Sequence, residues 1–520
     1  MHRARLMSCS LSMALVAAAG LAAVPANAPQ SAATLTSDQL FQANKIWTIH
    51  LTLPNDTFSA LTPTAPAPPA PPVGAAAPPA QSAQGAPAPS QAAPAPPRPP
   101  MQIPSVLPPD LLKQVVRGQF VGPEGGRNGL TAQRGVDFVY VHASVDIDGM
   151  KFADVGVRPK GNGSYIPILN GRIQKPSLKI DLHKYVKDQQ LAGVTMINLN
   201  NEIFDATWMN EPLAYRLYRE AGVPASRTSY ARVYVTTKGG EPNRYLGLYD
   251  IIEEVDTRFT ESRFHVAGGA LYKPVTAVPF KFLGRDWADY NQMYDPKTSL
   301  TDADKQHMLD FCDLVSNAPD DQFSAKIGDF LDIDAFAKYM AALVWLANPD
   351  SILETGQNYY VHYNPATKKF AFIPWDQDHS FDQYVPWRTP ESQQQLDIMH
   401  PWVSPFAGAP FAAQVENNLL ARTFKLPAFK QRYLAALASI TKTVTMPERI
   451  AKQMDDLAPL IAPLVPVEPK DVRIISFDEA LAGKPYTRPF NQNVPIVPAK
   501  VFLPLRQASV VAQLKALGAQ

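Results

Sequence analysis

The chain has 520 residues, enough to bury a large core and, by length alone, to hold about two to four domains. Its 48 Lys and Arg against 47 Asp and Glu leave a net charge of +1. That balance excludes the basic footprint of a nucleic-acid binder or of a polybasic membrane patch. In chain order, His2, Arg3 and Arg5, then an apolar run from Leu11 to Val24, then Ala26-Asn-Ala28 predict a secretory signal cut after Ala28. A secreted or periplasmic location follows. Cys9 would leave with that signal, so the mature chain keeps only Cys312 and no internal disulfide. No later run reaches the roughly 20 apolar residues of a membrane span.

Lys45 to Leu53 alternates as a strand, with Trp47, Ile49, Leu51 and Leu53 on one face. Residues 62–109 then hold 18 of the 51 prolines among Ala and Gln, a composition that cannot form a core and predicts a disordered insertion. Too few residues precede it for a separate domain. The expected organisation is therefore signal 1–28, an N-terminal strand segment 29–61, the insertion 62–109, and the remainder of the same domain at 110–520. Such a loop insertion costs little, because closure entropy grows slowly with loop length.

Further on, Val136 to Val141, Ala143 to Ile147, Val155 to Val157, Lys175 to Asp181, Ala231 to Val235 and Arg244 to Ile252 read as strands, with one helix from Asp205 to Glu220. From Thr301 the pattern is helical: Thr301 to Ser316, Asp332 to Leu346, Ala412 to Pro463, and a short helix at Ala508 to Leu517. Strands first and helices second predict an α+β fold of two lobes with a cleft between.

The chemistry-bearing residues are spread along this pattern. Arg158-Pro-Lys160-Gly-Asn-Gly-Ser164 ends a strand in a glycine-rich loop with two cations and a hydroxyl, which serves either as an ordinary turn or as a phosphate cradle. Lys179 alternates with Leu178 and Ile180, so it is a solvent-facing lysine or a phosphate binder; Lys175 is the other candidate. Glu254, after a strand, can pair with Lys179. Asp350, Asn358 and the pair Asp376 and Asp378 follow in the order that kinases use to orient a hydroxyl and hold Mg²⁺. His362 and His379 lack zinc-ligand spacing, and an EF-hand loop from Asp376 would need a Glu where Trp387 stands.

Taken together, Gly-Val-Arg-Pro-Lys-Gly-Asn-Gly-Ser, Lys-Pro-Ser-Leu-Lys-Ile-Asp, Ile-Asn-Leu-Asn-Asn, Leu-Tyr-Arg-Glu-Ala-Gly-Val-Pro-Ala, Gly-Leu-Tyr-Asp-Ile-Ile-Glu-Glu-Val-Asp, Leu-Tyr-Lys-Pro and Pro-Trp-Asp-Gln-Asp resemble the spore-coat protein H (CotH) kinase family. The resemblance runs from about Ile46 to the C-terminus, outside the insertion. It implies an atypical protein-kinase-like fold with a strand-rich N-terminal lobe and a mainly helical C-terminal lobe. It also implies ATP with Mg²⁺ or Mn²⁺ as cofactors and Ser/Thr of exported proteins as substrate. Under it, Asp350 is the catalytic Asp, Asp376 a metal ligand joined by Asp378 and Asn358, and Arg158, Lys160, Ser164, Lys179 and Glu254 bind the nucleotide. The gap between Asp350 and Asn358 is longer than kinases generally have. Two other functions fit the same residues: a non-catalytic surface or assembly protein that keeps the kinase-like shell, and a nucleotidyl transferase.

Overall fold

The computed structural model describes residues 35–54, 58–63, 107–240, 242–381, 389–403, 415–470, 476–488 and 491–519. The expected signal segment and nearly all of the Pro-rich insertion lie outside the described residues. The fold is mixed α and β. Its strand-rich half is a closed seven-stranded barrel, β1 (Ile46–Leu53), β2 (Val141–Ile147), β3 (Met150–Lys160), β4 (Ser177–Asp181), β5 (Met196–Asn200), β6 (Thr228–Thr237) and β7 (Arg244–Glu253). Around the barrel the order is β1-β2-β3-β4-β5-β7-β6. Every neighbouring pair is antiparallel except β1 and β6, which run parallel and close the ring.

Period-2 alternation decides what each barrel strand buries. Trp47, Ile49, Leu51 and Leu53 of β1 point inward with Val155, Val157, Leu178, Ile180, Ile197, Leu199, Val233 and Ile251 to form the barrel core. Closure removes the edge strands that such apolar ribbons would otherwise expose. The alternate residues face outward, among them Arg158 and Lys160 of β3, Lys179 of β4, Asn198 and Asn200 of β5 and Asp250 of β7. Arg158 stands opposite Lys179, and Lys179 opposite Asn198, across three strands.

A helix, α1 (Asn210–Glu220), packs outside the barrel. Asp205, expected at its start, lies ahead of it but still serves it: its carboxylate accepts from the Thr207, Met209 and Asn210 backbone N–H groups, each at 2.7 Å. Residues 136–140 are not strand. Val136 and Phe138 instead pack with Tyr165, Ile168, Ile173 and Ile203 in a small separate cluster.

The second half is built on a three-stranded sheet, β8 (Leu271–Tyr272), β9 (Tyr359–Asn364) and β10 (Lys369–Pro374), in the order β10-β9-β8. Helices surround it: α2 (Asp302–Asn317), α3 (Asp320–Phe330), α4 (Ile333–Leu346), α5 (Pro427–Thr443), α6 (Pro447–Ile461) and α7 (Ala499–Ala516). From Ala337 to Leu346, α4 is buried at every position except Lys338. An apolar helix of that kind belongs at the centre of a core rather than on its surface. The sequence predicts only the last turns of α7; Pro504 within it marks a break in the pattern, yet the helix runs through it. His362 is buried against Phe264 in this half rather than at the surface, and burial lowers its pKa to about 4.

Because β1 contributes four inward side chains at roughly 1.5–3 kcal/mol each, its loss would remove an amount comparable to the whole stability of a typical domain. A chain beginning at Leu107 should therefore be recovered as insoluble or far less stable protein, whereas one beginning at Ala33 should fold. Equal melting temperatures for the two would show that β1 is not part of the core.

Candidate functional site

The outward wall of β3, β4 and β5 faces the open end of the β9–β10 hairpin across a cavity of about 250 Å³. Arg158, Lys160, Ser164, Lys179, Glu254, Asn358, Asp376 and Asp378 all line it. Asp350 does not line it but adjoins it, since Asn358 Nδ2 donates to the Asp350 carbonyl at 3.0 Å. Lys175 is elsewhere: its ammonium is buried in an ion pair with Glu468 at 3.0 Å, over the rings of Trp208 and Tyr249.

On the barrel wall, Lys179 Nζ donates to Glu254 Oε1 at 2.6 Å, and Asn198 Nδ2 donates to Oε2 of the same carboxylate at 2.6 Å. Burial alone would raise the Glu254 pKa, but the Lys179 charge and these hydrogen bonds outweigh it and hold the group at about 2. One strand over, Lys160 donates to Asn200 Oδ1 at 2.5 Å, and Asn200 Nδ2 donates to Glu211 Oε2 at 2.6 Å. Glu211 Oε1 accepts from the backbone N–H of Gln377 at 3.1 Å. A continuous chain of polar contacts thus joins the barrel lysine to the Asp376-Gln377-Asp378 turn. Burial lowers the Lys160 pKa, opposed by the nearby Asp376 and Glu211 charges.

The glycine-rich loop follows β3 directly. Gly161 has φ +94°, and a Cβ there would come within 2.5 Å of Ser164 Oγ, so the position needs glycine. Arg127 holds the loop from outside by donating to Asn162 Oδ1 at 3.1 Å.

On the facing side, β9 starts just after Asn358 and β10 ends just before Trp375, so pairing of the two strands sets Asn358 beside the acidic turn. Trp375 N donates to Asn358 O at 3.1 Å. Asn358 and Asp376 both adopt positive φ, 60° and 54°, a strained conformation for side chains other than glycine that clusters at functional sites. Asn358 spends its Nδ2 on the Asp350 carbonyl, which leaves Oδ1 as its acceptor. The Asp376 backbone N–H donates to Tyr215 Oη at 3.0 Å, and burial raises the pKa of its carboxyl. Asp350 is placed by α4: its Oδ1 accepts from Thr355 Oγ1 at 2.7 Å and Gln357 Nε2 at 2.9 Å.

Sequence reasoning missed several lining residues. Lys273, directly after β8, lies over the rings of Tyr360 and Trp375; burial, and next the Lys297 charge, push its pKa down to about 8. It sits in the Leu-Tyr-Lys-Pro motif, and the lone lysine there was the available signal. Asn198 and Asn200 were legible as alternate residues of Ile-Asn-Leu-Asn, which places both on one strand face. Chemically, the cations Arg158, Lys160, Lys179 and Lys273 suit a polyanion such as a polyphosphate. The hard oxygen donors of Asn358, Asp376 and Asp378 suit Mg²⁺ or Mn²⁺.

Since Glu254 titrates at about 2 rather than 4.5, its pairing contributes stability that is fully present above pH 4.5 and is lost as pH falls through 2. Lys179→Met should therefore cost on the order of 3 kcal/mol at pH 7 and much less near pH 2. Denaturant unfolding at both pH values checks this; an equal cost at each would mean the ion pair contributes nothing.

The chain is 24% identical over 214 residues to the inner spore coat protein H of Bacillus subtilis (strain 168), a match covering 39% of this chain and 54% of that protein. The match thus spans about half the relative's length. Residues 157–492, which contain the cavity-lining residues from Arg158 to Asp378, match the family model described as CotH kinase protein, and the chain belongs to that family.

Proposed function

We propose that this protein is an exported kinase that transfers a phosphoryl group from ATP, with Mg²⁺ or Mn²⁺, to Ser or Thr of other exported proteins. In this reading the barrel half and the helical half are the small and large lobes of a kinase-like fold. The observation that carries the proposal is the Lys179–Glu254 ion pair in one cavity with Asn358, Asp376 and Asp378. Kinases need just such a fixed lysine facing hard metal-binding oxygens. The bound nucleotide and metal would supply the phosphoryl group and neutralise its charge.

The chain's own residues then have separable roles. Lys179, fixed by Glu254, offers an ammonium to phosphate oxygens, and Arg158, Lys160 and the Gly161–Ser164 loop extend that surface. Asn358 Oδ1 and the Asp376 and Asp378 carboxylates hold the metal. Asp350 orients the acceptor hydroxyl and takes its proton at Oδ2, because Thr355 and Gln357 already occupy Oδ1. Past Lys179 and Glu254 the cavity adjoins a larger hollow of about 700 Å³ that shares Lys179, Glu254 and Lys297 with it, room for the nucleoside portion of a nucleotide.

Incubating the protein with ATP and Mn²⁺ or Mg²⁺ and weighing the products tests the reaction: phosphoryl-sized increments on Ser or Thr support it, and nucleotidyl-sized increments overturn it. Asp376→Ala should abolish metal-dependent ATP binding in calorimetry while the protein stays folded. Asp350→Asn should keep that binding and lose transfer on the order of 10²- to 10⁴-fold. Transfer at the wild-type rate would move the base elsewhere.

Lys273 gives a test with opposite signs. A lysine titrating at about 8 carries a desolvation penalty that is present at pH 7 and fades as pH rises toward its ordinary value of 10.5. Lys273→Met should thus gain on the order of 1–3 kcal/mol of stability at pH 7 while weakening ATP binding about tenfold. Equal stability of mutant and wild type at pH 7 would show that the ammonium is not strained by burial.

A further inference from the structure

Beside the acidic turn, and reaching the cavity through Glu202, lies a second group of carboxylates to which the proposed phosphoryl transfer assigns no role. Glu202 follows β5, Glu211 lies in the first turn of α1, and Asp250 is on β7 directly opposite Asn200. An oxygen from each lies within 4.8 Å of the others, and all three side chains are buried, Glu211 and Asp250 completely. Among the described residues, neither Asp250 oxygen has a hydrogen-bond partner, nor does Glu202 Oε2. Among the described residues, no Lys or Arg forms an ion pair with any of the three. The nearest ammonium groups are engaged elsewhere, Lys160 with Asn200 and Lys175 with Glu468. Asp205, also close, is saturated by backbone N–H groups.

Protons alone do not satisfy this group. Burial and the Asp376 charge raise the Glu211 pKa, while the N–H donors it accepts at both oxygens oppose that rise and leave no oxygen free to take a proton without losing a contact. One proton can be shared between Glu202 and Glu211, which lie within hydrogen-bonding reach of each other. Asp250, if protonated, would have no acceptor for its O–H, and if ionised, no donor for its oxygens. A buried polar group in that position is costly in either form. We propose that Glu202, Glu211 and Asp250 form a structural site for a hard divalent cation, separate from the nucleotide metal. Oxygens within 4.8 Å of one another can converge on one such ion, and Ca²⁺, which accepts flexible oxygen geometry where Mg²⁺ demands a near-ideal octahedron and keeps its waters, is the better match to an all-carboxylate cage. The bound cation ties β7, the loop after β5 and α1 together, and through the Glu211–Gln377 contact it fixes the Asp376-Gln377-Asp378 turn from behind.

The test uses the full chain carrying Asp376→Asn, without nucleotide, so that the proposed nucleotide metal is removed from the count. After EDTA treatment and dialysis against Ca²⁺, elemental mass spectrometry should find about one Ca²⁺ per chain, and the melting temperature should rise by several degrees over the EDTA-treated sample. Adding Asp250→Asn, or Glu202→Gln where that variant does not fold, should abolish both effects. A chain that retains no Ca²⁺ and melts identically with Ca²⁺ and with EDTA overturns the proposal, as does Ca²⁺ binding that survives both substitutions. The Asp376→Asn chain with and without EDTA supplies the melting comparison even if no triad variant folds. Because no step involves ATP, failure here leaves the kinase reading intact, and failure of the kinase reading leaves this site intact.

Discussion

The arrangement depends on one constraint: charged side chains on the outward wall of the barrel are covered by the second half of the protein and must find partners out of water. A lysine removed from water costs several kcal/mol unless it is paired and hydrogen-bonded. Lys179 is paired with Glu254 and Lys175 with Glu468, while Lys160 is hydrogen-bonded to Asn200. Each pairing fixes a distance between elements far apart in sequence. The barrel therefore cannot slide against the helical half without breaking the buried Lys175–Glu468 pair, and the cavity between them keeps its shape. Lys273 is the exception, placed against aromatic faces instead of a carboxylate, which is why burial depresses its pKa most visibly. A cation left unpaired in a cavity is poised to bind an anion.

The opposite side of the cavity is held by the end of α4. Its last carbonyls would be orphaned in the core, and Arg506 from α7 meets that need: its buried guanidinium donates to Val344 O and Trp345 O, and also to Gln394 O and Leu396 O. Burial pulls its pKa down to about 10, against the opposing pull of Tyr433 and Asp397. Ala347 then turns the chain with φ 51°, and Asn348 Oδ1 accepts from Asp350 N at 3.0 Å. A C-terminal helix thus positions a loop some 160 residues earlier, so truncating α7 would disturb Asp350 without touching the cavity.

Much of this was legible because period-2 alternation survives in the strands. Trp47, Ile49, Leu51 and Leu53 announced a strand with one apolar face, and Leu178 and Ile180 likewise assigned Lys179 to the other face. Closure of the barrel was not legible. It depends on β1 pairing in parallel with β6, whose residues lie more than 180 positions later, and no local pattern encodes a partner at that distance. Val136 to Tyr140 alternates as well as many true strands do, yet a pocket formed by Tyr165 and Ile203 competes for Val136 and Phe138. The acidic group of Glu202, Glu211 and Asp250 was invisible for the same reason, since each residue sits in an element that reads as ordinary on its own.

The choice between Lys175 and Lys179 shows where local reasoning ends. The two are an even number of residues apart, as are Ser177 and Asp181, so alternation puts them all on one face and cannot separate them. What separates them is the origin of the partner. Glu254 comes from the end of β7, two strands away in the same barrel wall, and keeps Lys179 at the mouth of the cavity. Glu468 comes from the segment after α6, almost three hundred residues later, and draws Lys175 beneath Trp208 and Tyr249 into a dry contact between the two halves. Its other oxygen also accepts from Tyr245 Oη at 3.1 Å, so that carboxylate is committed to holding the halves together. The same residue type, once just ahead of β4 and once within it, therefore acts once as a tether and once as a group facing the cavity. The long-range carboxylate, not the strand, decides which.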